Sequence, residues 1–309
     1  MSPRAIGLAL FAATCVVGCD AGLHSLGDPP TDTDDTDSPD TGSPDTGAPD
    51  DTGIDPTAEV TGLVEFTLLQ VACPGCFNTT SDLVVSATAA FHDPTPGSWI
   101  AWMPALGTCA MNPTPVPLAN PTQDRGQWVY LESGSKSISL LRTPGDLGTI
   151  YAADGLGDPD YLRNASWDVV LPEAGGARIS GGLHTTEGFD DIQPWEMLYV
   201  YPEAAFAAAV SQSGQTFTWA PAGSADRFVI LIDAYDGYTG TYLATAACTG
   251  PDSGSMQVPG TVLSAFPAYS LLGVGLYRYQ VNRASVPNDG TTLESVSWFG
   301  VLGTATLTP

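Results

Sequence analysis

Gly275-Leu276-Tyr277-Arg278-Tyr279-Gln280-Val281 places a ring or a branched side chain at every second position from Tyr277 on. A period of two puts such groups on one face of an extended chain. Glu65-Phe66-Thr67-Leu68 shows the same alternation early in the chain. Runs rich in Val, Ile, Thr, Tyr and Trp recur at 60–71, 83–91, 127–131, 137–141 and 166–171, then at 215–219, 228–235, 241–246, 272–281 and 293–307. Turn clusters separate them, such as Asp93-Pro94-Thr95-Pro96-Gly97, Asp252-Ser253-Gly254 and Pro287-Asn288-Asp289-Gly290. Many short strands with Gly and Pro turns predict an all-β fold built of antiparallel β-sandwiches of Ig-like type. Only 203–210 reads as a short helix, and 259–266 as one helical turn.

Two sandwich domains are expected, 58–210 and 211–309. The polar stretch Ser211-Gln212-Ser213-Gly214 marks the boundary. One continuous sandwich with long insertions is the alternative.

The first 57 residues have a different character. Arg4 precedes an apolar run over 5–17, too short for the ~20 residues of a membrane-spanning helix but suited to an export signal. The run ends in Val16-Val17-Gly18-Cys19, which resembles the bacterial lipobox. The resemblance implies a lipoprotein signal peptide over 1–18, cleavage before Cys19, and a diacylglycerol thioether on Cys19 with further acylation such as palmitate. Two or three acyl chains give a stable anchor where one does not. The implied location is the cell envelope, on the periplasmic or outer surface of a bacterial membrane. Residues 19–57 then form a linker with units such as Ser38-Pro39-Asp40-Thr41-Gly42 and Ser43-Pro44-Asp45-Thr46-Gly47. With almost no apolar residues it has no core to form and reads as a disordered, extended spacer.

Composition narrows the function. The net charge is −25, and Lys136 is the single lysine. Nucleic-acid binding is not expected, because no basic patch is available to neutralise phosphates. Of six cysteines, Cys15 leaves with the signal and Cys19 carries lipid. Export makes disulfides the default for Cys73, Cys76, Cys109 and Cys248. Cys73-Pro74-Gly75-Cys76 also has the spacing of a redox pair, but a loop follows it where a helix N-terminus would be needed to lower a thiol pKa. A zinc site would need Cys109 and His92 as further ligands. The expectation is a cross-link from this loop to Cys109, both lying in the first domain.

Asp154, Asp158 and Asp160 alternate in a Gly-rich loop and are the candidate Ca²⁺ ligands; Asp233 and Asp236 are a poorer second set. Such residues are also ordinary turn formers. Trp99 and Trp102 adjoin Pro and Gly turns and are candidate exposed stacking groups for a glycan, whereas Trp219 and Trp298 lie in apolar strands and read as core. His92 and His184 stand near no Gly-x-Ser-x-Gly elbow and read as surface or turn residues. No catalytic residues are assigned.

The second half also resembles C-terminal β-sandwich modules of exported lipoproteins from Gram-negative bacteria. The matching residues are Phe217-Thr218-Trp219-Ala220-Pro221-Ala222-Gly223-Ser224-Ala225-Asp226, the strand at 228–232, Cys248 with Asp252-Ser253-Gly254, Val258-Pro259 and the strand at 274–279. The resemblance implies the sandwich fold and brings no catalytic residue. The functional expectation is a lipid-anchored envelope or surface protein with a non-enzymatic binding or structural role, needing no cofactor beyond a possible Ca²⁺. Its expected partners are the membrane and a protein or glycan. The alternative is an exported hydrolase acting on envelope or extracellular polymers.

Overall fold

The computed structural model of the protein describes residues 59–72, 82–96, 102–113, 123–145, 148–173, 175–189, 208–222, 227–285 and 292–309. Cys19, the acidic linker, Cys73, Cys76, Trp99 and residues 203–207 lie outside them. The strands are β1 (Glu59–Val71), β2 (Leu83–Pro96), β3 (Cys109–Met111), β4 (Trp128–Ser133), β5 (Lys136–Gly145), β6 (Gly148–Ala152), β7 (Ser166–Leu171) and β8 (Ala177–His184). They continue as β9 (Ala209–Ser211), β10 (Gly214–Thr218), β11 (Arg227–Tyr235), β12 (Tyr242–Pro251), β13 (Ser255–Pro259), β14 (Leu271–Ser285) and β15 (Thr292–Thr308). A short helical turn, α1 (Gly260–Leu263), falls where 259–266 predicted it.

All-β is the outcome, but the main sheet is mixed and not purely antiparallel. Thirteen strands form it in the order β3-β12-β11-β14-β15-β1-β2-β6-β5-β4-β7-β8, with β9 also on β15. β1 runs parallel to β15, from Gly62 opposite Leu293 to Val71 opposite Leu302. β9 is parallel to the end of β15, from Ala209 opposite Thr306 to Ser211 opposite Thr308. Ala209 and Val210, expected in a helix, are therefore strand. The open edge of β15 there offers backbone partners that override the helical character of an alanine run.

The sheet carries strands from both sides of residue 210. β1 and β2 are bonded into the same ladder as β15, β14, β11 and β12. The strip curls so that β8 returns over β14 and β15. Side chains make that closure: Ser295 Oγ donates to Gly182 O at 2.5 Å, Ser297 Oγ to His184 O at 2.6 Å and Asn282 Nδ2 to Gly181 O at 2.6 Å. Gly181, at φ +60, sits where the β7–β8 register shifts between Trp167 and Val169. Such a left-handed residue forms a bulge without strain only as glycine.

Inside the curl lies the principal core, including Phe66, Phe91, Trp167, Phe228, Leu276 and Phe299. Phe66 meets Tyr161 at 4.9 Å and Trp167 at 5.4 Å. The small β10–β13 sheet and α1 add Phe217, Val258, Leu263 and Phe266 to the same core. The opposite face of β11, β14, β15 and β1 is also buried, by Leu69, Val229, Tyr277, Tyr279, Trp298 and Trp102. These central strands are thus covered on both faces, and polar residues such as Glu65, Thr67, Ser295 and Ser297 are buried along with the apolar ones.

Candidate functional site

The Cys109 thiol is bonded to Cys248, directly across the β3–β12 ladder, with Cα atoms 4.0 Å apart. This corrects the expected link from Cys109 to the Cys73–Cys76 loop. Edge strand β3 lands on β12, 139 residues further along the chain.

The sequence-derived aspartates do not converge. Among the described residues no three His, Cys, Asp or Glu side chains gather as metal ligands. Asp160 binds Lys136 Nζ at 2.5 Å and accepts from Gly157 N–H at 2.8 Å, and these two partners hold its carboxyl below the usual range. Asp158 begins a 3₁₀ turn (Asp158–Asp160) instead of facing Asp160 across a cavity. The Asp154–Asp160 loop is thus closed by a lysine and a backbone amide. The expectation of an exposed Trp102 is corrected as well, since it is 7% accessible and packs with the outer-face cluster. Trp219 and Trp298 are core, as expected. His92 is buried at 6% accessibility on β2, with Nδ1 2.8 Å from Asp93 O, and is not a surface residue. His184 ends β8, half-buried.

Two buried polar centres were not foreseen. Arg278 Nε lies 2.9 Å from Asp252 Oδ2, both side chains fully enclosed. The guanidinium also donates to Gly188 O and to Ala220 O, the latter at 2.8 Å, and lies over the Phe189 ring. Trp219 Nε1 and Ala222 N donate to the Asp252 carboxylate. Trp219 stacks on Phe228 at 3.5 Å. Arg278, Asp252 and Trp219 thus form a structural hub that ties β14 to the β12–β13 turn and to the segment after β10. The second centre is Glu65, on the outer face of β1. Burial pushes its carboxyl up to about 8. Thr67 Oγ1 donates to it at 3.4 Å. Trp298 approaches the same carboxyl, but neither its N–H nor Glu65 Oε2 completes a hydrogen bond of good geometry.

The solvent-facing feature is the end of the sheet where the β11–β12 turn meets the segment before β14. Asp236 Oδ1 accepts from Tyr238 N at 3.0 Å, Thr239 N at 2.7 Å and Thr239 Oγ1 at 2.9 Å, and these bonds lower its carboxyl. Asp236 therefore builds the turn and does not serve Asp233 as a metal partner. Tyr238, at the apex, is 100% exposed. Tyr269 is 65% exposed and has φ +65. Its amide donates to Leu307 O at 2.9 Å. Tyr242 is also exposed; its hydroxyl is 2.8 Å from Thr245 Oγ1, which donates to Asp233 Oδ1. Burial raises Asp233 to about 7. Tyr235 and Tyr242 meet edge to face at 6.0 Å. The one sequence signal for this edge is a tyrosine inside Asp236-Gly237-Tyr238-Thr239-Gly240, a turn whose apex has no need of a large ring.

No family model and no curated protein matches the chain. Solved structures that match include the crystal structure of chicken CNTN1 FN1–FN3 domains, at 9% identity over 82% of this chain and 67% of that chain. Its TM-score of 0.17 is too low to carry any inference about fold or function.

Proposed function

We propose that this is a lipid-anchored bacterial envelope protein, held through Cys19 and an acidic spacer, whose β-rich body has a non-enzymatic binding role. The observation that carries the binding role is the solvent-facing tyrosine edge of Tyr238, Tyr242 and Tyr269, whose turn is closed by hydrogen bonds to the Asp236 carboxylate. Large rings held in water by an ordered turn give contact area at little further cost in ordering on binding. The anchor rests on Val16-Val17-Gly18-Cys19, and the Cys109–Cys248 bond supports passage to an oxidising compartment. In cells fed labelled palmitate, the full-length protein takes up label and sediments with membranes. Cys19→Ser removes the label and releases the protein. An unlabelled wild-type protein in the soluble fraction overturns the anchor.

A further inference from the structure

We propose that the tyrosine edge is a stacking platform for a neutral saccharide. The inference rests on the reading of the protein as a binder and names the ligand class of that edge. It does not depend on the lipid.

The display is pre-built. Tyr238 is carried at the apex of a turn in which its own amide and that of Thr239 donate to the Asp236 carboxylate. Tyr269 is held in the left-handed region, which a bulky L-residue enters only at a steric cost that glycine does not bear. Its backbone is pinned on both sides: Tyr269 N–H donates to Leu307 O, and Ser270 O accepts from Leu307 N. The two segments touch closely enough that a Cβ on Gly237 would lie 2.6 Å from Tyr269 O. An exposed ring kept in a strained backbone contributes nothing to the core. Strain of this kind persists where surrounding structure imposes it, and it concentrates at binding sites.

The chemistry selects the ligand. Tyrosine rings offer flat apolar faces for the C–H faces of a pyranose, with hydroxyls at their edges for its polar groups. Beside them Tyr242, Thr245 and Asp233 form a hydrogen-bonded chain, and Asn112 Oδ1 accepts from Thr245 N at 3.0 Å. Nucleic-acid bases also stack on tyrosine, but their phosphates need cations. Residues 235–245 and 267–270 contain no Lys or Arg, and the chain carries −25. The same charge repels acidic glycans. A protein partner needs about 800 Å² on each side around an apolar centre. Among the described residues, Leu243 is the only large aliphatic exposed beside these rings. A basic peptide would meet a single solvent-accessible carboxylate, Asp236, whose Oδ1 is already taken by its own turn, while Asp233 is desolvated against Thr245.

The test uses the detergent-solubilised full-length protein on an array of neutral gluco-, manno-, galacto- and N-acetylglucosamine oligomers, with polyuronic acid and oligolysine alongside. Retention on a neutral oligomer is expected, weakened at least ten-fold by Tyr238→Ala and by Tyr269→Gly and unchanged by Leu141→Ala on β5. Tyr269→Gly is also expected to raise Tm, because it relieves the left-handed strain, so its loss of binding is not a loss of fold. Retention on no neutral oligomer, or retention unaffected by either tyrosine change, overturns the platform. Retention on oligolysine alone overturns the saccharide and leaves a binder. An unlipidated Cys19→Ser protein that still binds sugar separates this proposal from the anchor.

Discussion

Glu65 lies on the outer face of β1, opposite Val296 on β15 and Thr88 on β2, with its Oε2 unpartnered. Its carboxyl has an ordinary value near 4.5 in the unfolded chain, and burial pushes it up to about 8 in the folded one. Between those values the folded chain holds a proton that the unfolded chain has lost. Stability therefore falls as pH rises from 4.5 to 8 and levels off above. Glu65→Gln removes the titration. Urea melts are expected to show the variant more stable than wild type at pH 8, on the order of a few kcal/mol, with the gap closing toward pH 4. Arg278 is a different case, enclosed, ion-paired with Asp252 and donating to two carbonyls. Arg278→Met strands the Asp252 carboxylate in the interior and is expected to cost about 3–5 kcal/mol in the same melts. Adding Asp252→Asn recovers part of that loss, because the stranded charge is gone.

At the scale of elements, β3 shows how a short segment is held. Three residues pair with β12, and Cys109–Cys248 locks them there, with Gly107 N and Thr249 N bonding across the same edge. A three-residue edge strand has too few ladder bonds to persist alone. Cys109→Ser is expected to cost about 2–5 kcal/mol and to raise amide exchange at 109–111 before the rest of the sheet opens. Exchange mass spectrometry reads both. The elements also divide by legibility. β7 matches its expected span, and β1, β11, β14 and β15 lie within a residue or a few of theirs, because their branched and aromatic residues disfavour any other local conformation. β8 was missed because Gly181-Gly182 reads as a turn, while the fold uses Gly181 as a bulge. β3 and β9 escape detection because three residues give no period to detect.

At the scale of the molecule, the first described strand lies beside the last. Thr61 and Thr292, 231 residues apart, exchange hydrogen bonds. The principal core draws on both sides of residue 210, through Phe66 and Trp167 on one side and Phe228 and Phe299 on the other. Calorimetry is expected to give a single unfolding transition with calorimetric and van't Hoff enthalpies equal, whereas two separated transitions would restore two independent domains. Read alone, the chain settles what is local: extended conformation, turn positions, and the apolar residues that line the strands. These follow from side-chain sterics and from what each residue type loses in water. Only the tertiary structure decides which strands pair, that β1 and β15 run parallel, that Cys109 joins Cys248, that Trp102 is inside while Tyr238 and Tyr269 are outside, and that Glu65 keeps its proton. Those outcomes depend on contacts between residues distant in the chain, and a period of two constrains the face of a side chain but not the neighbour it meets.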